Sequence, residues 1–354
     1  MMLSAGNGFI MQSEKYSRDN AGQSLKKYIL LKQGELAYNH GASKAKQFGC
    51  CYELTEPEAR IPYVYHCFKV NDHEYTPYIA MTLNNPKMDK QLKRLVSSSV
   101  RMDGLLNISF EDYMSVTLHL PPSNEQKRIA DFLQKIDERI VAQEKLLASL
   151  KKYKRGLHHK TFSALRKSDC CSLTLREIAS FSGGGTPSKD VMSYWCGDTG
   201  WISSSDILEE WVDTISITRR ISKEAIDNSA TKLCPKGSIA IVSRVGVGKV
   251  AIMPEELCTS QDFTNITSIE GDTLFMAYQI AYWMKIEAAK TQGTSIKGIT
   301  ADTIKAMEID IPPLDEQDHI AKMLSAFDKH LRHEMLKLDA LVKERSALLQ
   351  QLFI

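Results

Sequence analysis

LPPSNEQKRIADFL at residues 120–133 returns as IPPLDEQDHIAKML at residues 311–324. The offset is 191 residues, and it holds through the polar and apolar stretch that follows. Pro121, Pro122, Glu125, Gln126, Ile129, Ala130, Leu133, Asp137, Leu147, Leu150, Leu157 and Phe162 recur as Pro312, Pro313, Glu316, Gln317, Ile320, Ala321, Leu324, Asp328, Leu338, Leu341, Leu348 and Phe353. A repeat of this kind places two copies of one structural unit in a single chain.

The paired prolines mark a passage from strand to helix. Proline cannot continue a ladder, and it pushes its predecessor out of the α region. Asn124 and Asp315 follow at equivalent positions and suit an N-cap, with Glu125 and Glu316 in the electropositive first turn. Apolar residues then recur at alternating spacings of four and three. Ile129, Leu133, Ile136, Ile140, Leu147, Leu150 and Leu157 form one stripe, interrupted by Gln143 and Lys154. Ile320, Leu324, Phe327, Leu331, Leu338, Leu341 and Leu348 form the other, interrupted at matching positions by Glu334 and Arg345. Two matched seams of this length predict that the helices pair as a coiled coil, with the polar positions fixing register.

Around these helices the chain divides into four pieces: globular 1–122, helix 123–163, globular 170–312 and helix 313–354. The globular pieces are mixed. YILLKQGELAYN (28–39), GSIAIVSRVGVGKVAIM (237–253) and MEIDIPP (307–313) read as strands with glycine turns. LFMAYQIAYWMKIEAAK (274–290) reads as a helix. LKQGELAY is akin to CPKGSIAI, and ISFEDYMSVTLHLPP to ITADTIKAMEIDIPP, so the globular pieces are divergent copies too. The expected class is α+β, with two globular mixed α/β domains and two long helices.

Composition narrows the rest. A net charge of +2 confines any nucleic-acid surface to a local patch. The start lacks a basic region followed by an apolar run, so it does not read as a signal peptide. The most apolar run is broken by Arg244 and Lys249 and cannot span a bilayer. Eight cysteines without a CxxC spacing argue against zinc and suggest reduced thiols in the cytoplasm. No enzymatic motif survives inspection. GVGKV (246–250) lacks the earlier glycine of a phosphate loop and has Val250 where Ser or Thr must hold magnesium. LDEQDH (314–319) is matched by PSNEQKR and is therefore a helix start, not a helicase box. NNPK (84–87) is not the motif that holds a flipped adenine. His158 and His159 lie in the basic run KKYKRGLHHK without metal-ligand company.

The chain resembles the specificity subunits of type I restriction-modification enzymes. The carriers are the two PP-x-[ND]-EQ-x-x-IA helix starts, GGGTPSKDVMSYWCGDTGWISSSDI (183–207), SIAIVSRVGVGKVAI, SQDF (260–263) and GTSIKGIT (293–300). The resemblance implies two target recognition domains, each reading half of a bipartite DNA site. It also implies that the helices pair antiparallel and set the distance between the halves. A helix from Asn124 to Phe162 would be about 58 Å long at roughly 1.5 Å per residue, or about 17 base-pair steps. Such a subunit performs no chemistry and needs no cofactor or metal of its own. Its implied partners are double-stranded DNA, methyltransferase subunits using S-adenosylmethionine, and a restriction subunit using ATP and magnesium. One departure stands out. The second globular piece opens with about 28 residues, Leu173 to Gly200, that have no counterpart before Met1, so the first recognition domain is expected to be incomplete at its start. The alternative reading is a coiled-coil scaffold, or a half-site reader that pairs with a second copy.

Candidate DNA contacts follow from residue type. Short hydroxyls and cations on glycine-rich loops can approach a phosphate closely, and arginine can read guanine. In the second domain these are Lys189, Ser203, Ser204, Ser205, Arg244, Lys249, Thr294, Ser295 and Lys297. In the first they are Lys44, Lys46, Arg94 and Arg101.

Overall fold

The computed structural model describes residues 1–6, 8–15, 27–43, 46–96, 106–167, 171–291 and 298–353. The chain forms two compact units. Unit 1 comprises Met1–Lys145 with Leu336–Ile354, and unit 2 is the continuous stretch Leu146–Met335.

Unit 1 opens with a hairpin, β1 (Met2–Ser4) and β2 (Gly8–Ile10), and one helical turn, α1 (Gln12–Lys15). Then come β3 (Ile29–Lys32), β4 (Leu36–Asn39), β5 (Cys50–Glu53), β6 (Glu58–Ile61) and β7 (His66–Phe68). Helices α2 (Thr76–Leu83), α3 (Pro86–Leu95) and α4 (Phe110–Met114) lead to the long α5 (Ser123–Leu165). Unit 2 continues with β8 (Cys171–Thr174), α6 (Leu175–Ile178), β9 (Ala179–Gly183), β10 (Thr199–Ile202), β11 (Arg219–Ile221), α7 (Lys223–Asp227), β12 (Leu233–Cys234) and β13 (Ile239–Val242). After β14 (Val250–Ile252), β15 (Leu257–Thr259) and β16 (Phe263–Ile269) come α8 (Thr273–Thr291), α9 (Ala301–Lys305), β17 (Glu308–Ile311) and the long α10 (Leu314–Leu352).

The internal kinship of the globular pieces is visible in the pairing. β4 lies between β5 and β7, and β13 lies between β14 and β16, all antiparallel. β3 pairs with β6 as β12 pairs with β15. The glycines that open the central strands, Gly34 and Gly237, have φ of 82° and 84°, a left-handed turn that glycine adopts without strain. Unit 2 adds strands that unit 1 does not show among its described residues. β9 flanks β16, β8 pairs with β17, and β10 runs parallel to β15.

The helix starts obey the repeat but correct one expectation. Both helices begin one residue before the expected caps, at Ser123 and Leu314. The carbonyls of Pro122 and Pro313 accept the first backbone bonds, from Glu125 and Gln126 and from Glu316 and Gln317. Asn124 and Asp315 therefore lie inside the first turn. The reason for the glutamine of the repeated motif is now plain. Buried Gln126 donates to Pro121 O (2.8 Å) and accepts from Tyr75 N (3.0 Å). Buried Gln317 donates to Pro312 O (2.8 Å) and accepts from Asp272 N (2.8 Å). In unit 2 this ties the passage from β17 to α10 back to the residue before α8; in unit 1 no strand is described directly before α5, so the expected strand is absent there, and Gln126 ties the irregular stretch through Pro121 to the residue before α2.

The long helices pair antiparallel. In unit 2, Lys154 Nζ meets Asp328 Oδ1 at 2.6 Å, and Tyr153 lies 5.4 Å from Phe327 between ring centroids. Further along α5, Phe162 shares a core with Ile320 and Leu324, so the partners on α10 step backwards. In unit 1, Arg345 clasps Asp137, with one contact at 2.9 Å. Asp137 and Asp328 are repeat equivalents, and so are Lys154 and Arg345. Each unit thus carries one copy of a single ion pair, with the roles of the helices exchanged. Leu133, Ile136, Leu147, Ile320, Leu324 and Leu331 are buried, and Ile129, Ile140, Leu150, Leu157, Phe327, Leu338, Leu341 and Leu348 are half-buried. The stripes do more than face each other. Ala130, Leu133 and Ile136 share a core with Tyr78, Tyr113 and Phe353, while Ile320, Ala321 and Leu324 share one with Phe162, Phe275 and Tyr278.

One break distinguishes the copies. α8 runs unbroken for 19 residues, whereas the same stretch of unit 1 is split into α2 and α3 at Asn84-Asn85-Pro86. Asn85 caps α3 by accepting from Lys87 N (2.9 Å), and Pro86 stands at its first position, where no amide donor is needed. The NNPK stretch is thus a helix stop and restart.

Candidate nucleic-acid interface

Unit 2 builds a groove of about 810 Å³ where β9, the β13–β14 turn and the start of α9 meet. Its lining includes Phe181, Gly183, Ser243, Arg244, Gln261 and Lys305. The floor is fixed by the backbone. Ser243 donates to Asp262 O through both its amide (2.8 Å) and its hydroxyl (3.0 Å), and Ile299 N donates to Ser243 O (2.8 Å). The β13–β14 turn is closed by Val242 N to Lys249 O (2.9 Å) and Gly248 N to Val242 O (3.2 Å). Gly246 and Gly248, at φ of 80° and 99°, make so tight a turn possible and leave Arg244 and Val245 exposed on its rim. Arg244 has no ion-pair partner among the described residues. Lys305 Nζ lies 5.7 Å from the centroid of Phe181. A concave surface with two cations, an aromatic face and the side-chain amide of Gln261 presents donors for phosphate oxygens and base edges.

The candidates from the sequence scatter around this groove. Lys189 is exposed on the loop after the glycine run. Ser203 is held by its neighbours: its amide bonds Asp206 (2.7 Å), its hydroxyl lies 2.9 Å from that of Ser205, and Arg219 donates to it at 2.7 Å. Arg219 also pairs with Asp206 and stacks 4.6 Å from the Trp201 ring centroid. Lys249 donates to Ser204 O (2.9 Å), which ties the β13–β14 turn to the Ser203–Asp206 turn. Thr294, Ser295 and Lys297 lie outside the described residues. The glycine run has a packing role. A Cβ on Gly184 would meet Ser260 O at 2.0 Å, and one on Gly185 would meet Ala230 C at 2.4 Å, whereas Gly183 has open space. In unit 1, Lys46 donates to Asn84 O (2.7 Å), Arg94 is exposed on α3, and Lys44 and Arg101 lie outside the described residues.

Sequence reasoning missed Phe181, Gln261 and Lys305 as groove residues. Gln261 sits in the SQDF motif, and Lys305 sits in the repeated ITADTIKAMEI segment, so the signal was present but pointed to no surface. The basic run 151–160 divides between an inward and an outward side. Lys154 turns inward to Asp328 and Glu210 O, and its ammonium lies 4.6 Å from the Trp211 ring centroid. His158 sits between Phe162 and Tyr278, with centroids at 6.1 and 5.7 Å. Burial, reinforced by the charges of Lys154 and Lys285, pulls its pKa down to about 3, so the ring is neutral. Lys151, Lys152, Arg155, His159 and Lys160 are exposed, and His159 lies 2.8 Å from the Tyr282 hydroxyl.

Residues 20–152 and 168–341 match the family described as the type I restriction modification DNA specificity domain, and the chain belongs to that family. Among curated relatives, the specificity subunit of the type I restriction enzyme MjaIX of Methanocaldococcus jannaschii is 29% identical over 184 residues, 51% of this chain and 43% of that protein. The EcoR124I/EcoR124II specificity subunit of Escherichia coli is 29% identical over 231 residues, 61% of this chain and 57% of that protein. The chain thus spans about half the length of these relatives. Among solved structures, a chain from a study of complex assembly and conformational transition in the type I R-M system aligns with a TM-score of 0.60 at 15% identity. That alignment covers 92% of this chain and 82% of the other. The S subunit from M. genitalium aligns with a TM-score of 0.53 at 16% identity, covering 91% and 83%. These likenesses establish the fold.

Proposed function

We propose that the chain reads DNA sequence for a type I restriction-modification complex and does no chemistry itself. The observation that carries this is the family match over both copies of the repeat, joined to a groove lined by exposed Arg244 and half-buried Lys305 in unit 2. On this reading the unit 2 groove contacts one half of a bipartite site, with Arg244 at base edges or phosphate and Lys305 at phosphate. Methyltransferase subunits supply S-adenosylmethionine chemistry, and a restriction subunit supplies ATP-driven cleavage with magnesium. The test is long-read methylation mapping in cells carrying this chain and its methyltransferase, with the wild type beside Arg244→Ala. A motif with two different half-sites supports two readers, and loss or relaxation of one half in the variant assigns that half to unit 2. An unchanged motif in Arg244→Ala removes the groove from the reading, and no sequence preference with the methyltransferase present sinks the function.

A second reading rests on one observation: unit 1 has no described counterpart of β8, α6 and β9. On it only unit 2 reads, and two copies pair to bind a symmetric site. A motif that repeats one half-site inverted, with a dimer by light scattering, favours this reading over the first.

A further inference from the structure

The turn between β13 and β14 carries two valines, two residues apart, with opposite surroundings. Val247 packs against the core of unit 2. Val245 is 69% exposed and lines the groove. Of the large apolar side chains that stand exposed among the described residues, Val245 alone borders that groove. A single exposed apolar side chain is ordinary on a protein surface. Val245 differs in how firmly it is held and in what stands beside it.

The turn has little freedom. Two backbone bonds close it, Lys249 ties it to Ser204 O (2.9 Å), and its base rests against Gly298, where a Cβ would come within 3.0 Å of Ser243 O. Valine is branched at Cβ and stiff at χ1, so on a fixed turn it holds its two methyls in one place. Folding gains little from an apolar group left in water. The rim beside it consists of donors: Arg244, Lys305 and Gln261, whose side-chain oxygen accepts from Thr186 and whose NH2 remains to donate. The major-groove edge of DNA offers acceptors and one apolar group, the C5-methyl of thymine. A row of donors with a short pair of methyls next to it complements that edge. Valine is too short to wedge between base steps, which is work for Phe, Leu or Met.

We propose that Val245 is a specificity-determining residue of unit 2, which selects a thymine in its half-site by contact with the C5-methyl group. The inference rests on the reading of the chain as a DNA reader and adds the base that one side chain chooses. Arg244 and its fellow donors supply hydrogen bonds to acceptors, and Val245 rejects a cytosine in place of thymine because cytosine has no methyl to cover it. Because the side chain is exposed, its truncation leaves the fold as it is.

The test uses the full chain with its methyltransferase and duplexes of the mapped motif. Each thymine of the half-site assigned to unit 2 is replaced in turn by uracil, which removes the methyl and keeps the pairing. One replacement should weaken binding by the wild type about fourfold, the weight of one buried methyl. Val245→Ala should keep the wild-type denaturant midpoint and bind the thymine and uracil duplexes alike, at the level of wild type on uracil. Val245→Ile should keep the preference for thymine. A half-site without an A·T pair overturns the proposal, and so does a wild type indifferent to every uracil. Equal weakening on both duplexes by Val245→Ala, with the wild-type preference for thymine kept, also overturns it and places Val245 against the DNA backbone or a protein partner. In these three cases the motif persists and the DNA reading stands. Absence of any motif brings down that reading, and this inference with it.

Discussion

Asp137 and Asp328 occupy the same place in the repeat, yet they do different energetic work. Asp328 is 1% exposed and Lys154 13%, and burial pushes the Asp328 carboxyl up and the Lys154 ammonium down against their mutual attraction. Asp137 and Arg345 are 38% and 34% exposed. Removing one partner of a buried pair strands the other charge, so Asp328→Ala should cost about 3–5 kcal/mol. Asp137→Ala should cost under about 1 kcal/mol, because water screens what remains. Urea unfolding of the two variants measures the contrast, and equal losses would contradict it. His158 gives a pH test. An unfolded imidazole takes its proton near 6.5, while the folded one resists until about 3. Its stabilising effect is therefore complete above about pH 6.5 and is lost as pH falls from there. Wild type should lose stability between pH 6.5 and 4.5, and His158→Phe should lose measurably less. Neither burial was legible in the sequence: the aspartates showed themselves only as repeated letters, and His158 sat in a run of cations.

At the scale of elements, the repeated glutamine joins two segments that are far apart in the chain. Gln126→Ala and Gln317→Ala each leave a half-buried residue, Tyr75 or Asp272, with an amide that has lost its acceptor, and each should cost about 1–3 kcal/mol. Replacement of the exposed neighbour Lys127 by alanine should change stability by less than about 0.5 kcal/mol, and denaturant midpoints compare the three. The long helices were legible because period and offset reinforced each other over some forty residues. Their partners were only half legible. The stripe that reads as a helix-helix seam also packs on the globular cores, since a hydrophobic periodicity marks a buried face without saying what buries it. The split of α2 from α3 could have been read from Asn85-Pro86, but only once the unbroken copy, α8, was set beside it.

For the whole molecule, the α+β class and the doubled architecture were readable from spacing alone, while the groove was not. Its walls come from β9, the β13–β14 turn and α9, segments spread over more than a hundred residues that only pairing assembles. If Arg244 and Lys305 face DNA, binding to the methylated motif's unmodified duplex should weaken with salt, and each alanine substitution should lower the slope of log affinity on log salt by about one. Fluorescence anisotropy at several salt concentrations reads this directly, and unchanged slopes would take both cations out of contact.

The closing turns of α10 are captured by the beginning of the chain. Asn85 donates to Leu349 O (3.0 Å), Lys87 to Phe353 O (2.6 Å), and the Phe353 ring stacks on Tyr78 at 5.0 Å. Unit 2 is one uninterrupted stretch, whereas unit 1 needs residues that precede unit 2 and residues that follow it. During synthesis the order of maturation is therefore inverted. Residues 1–145 must wait, unfinished, for residues 336–354, which are made after the whole of unit 2, so unit 2 can reach its native state first. A ribosome stalled with residues 346–354 still in its exit tunnel should display a protease-resistant unit 2 beside a protease-sensitive unit 1, and release of the chain should protect both.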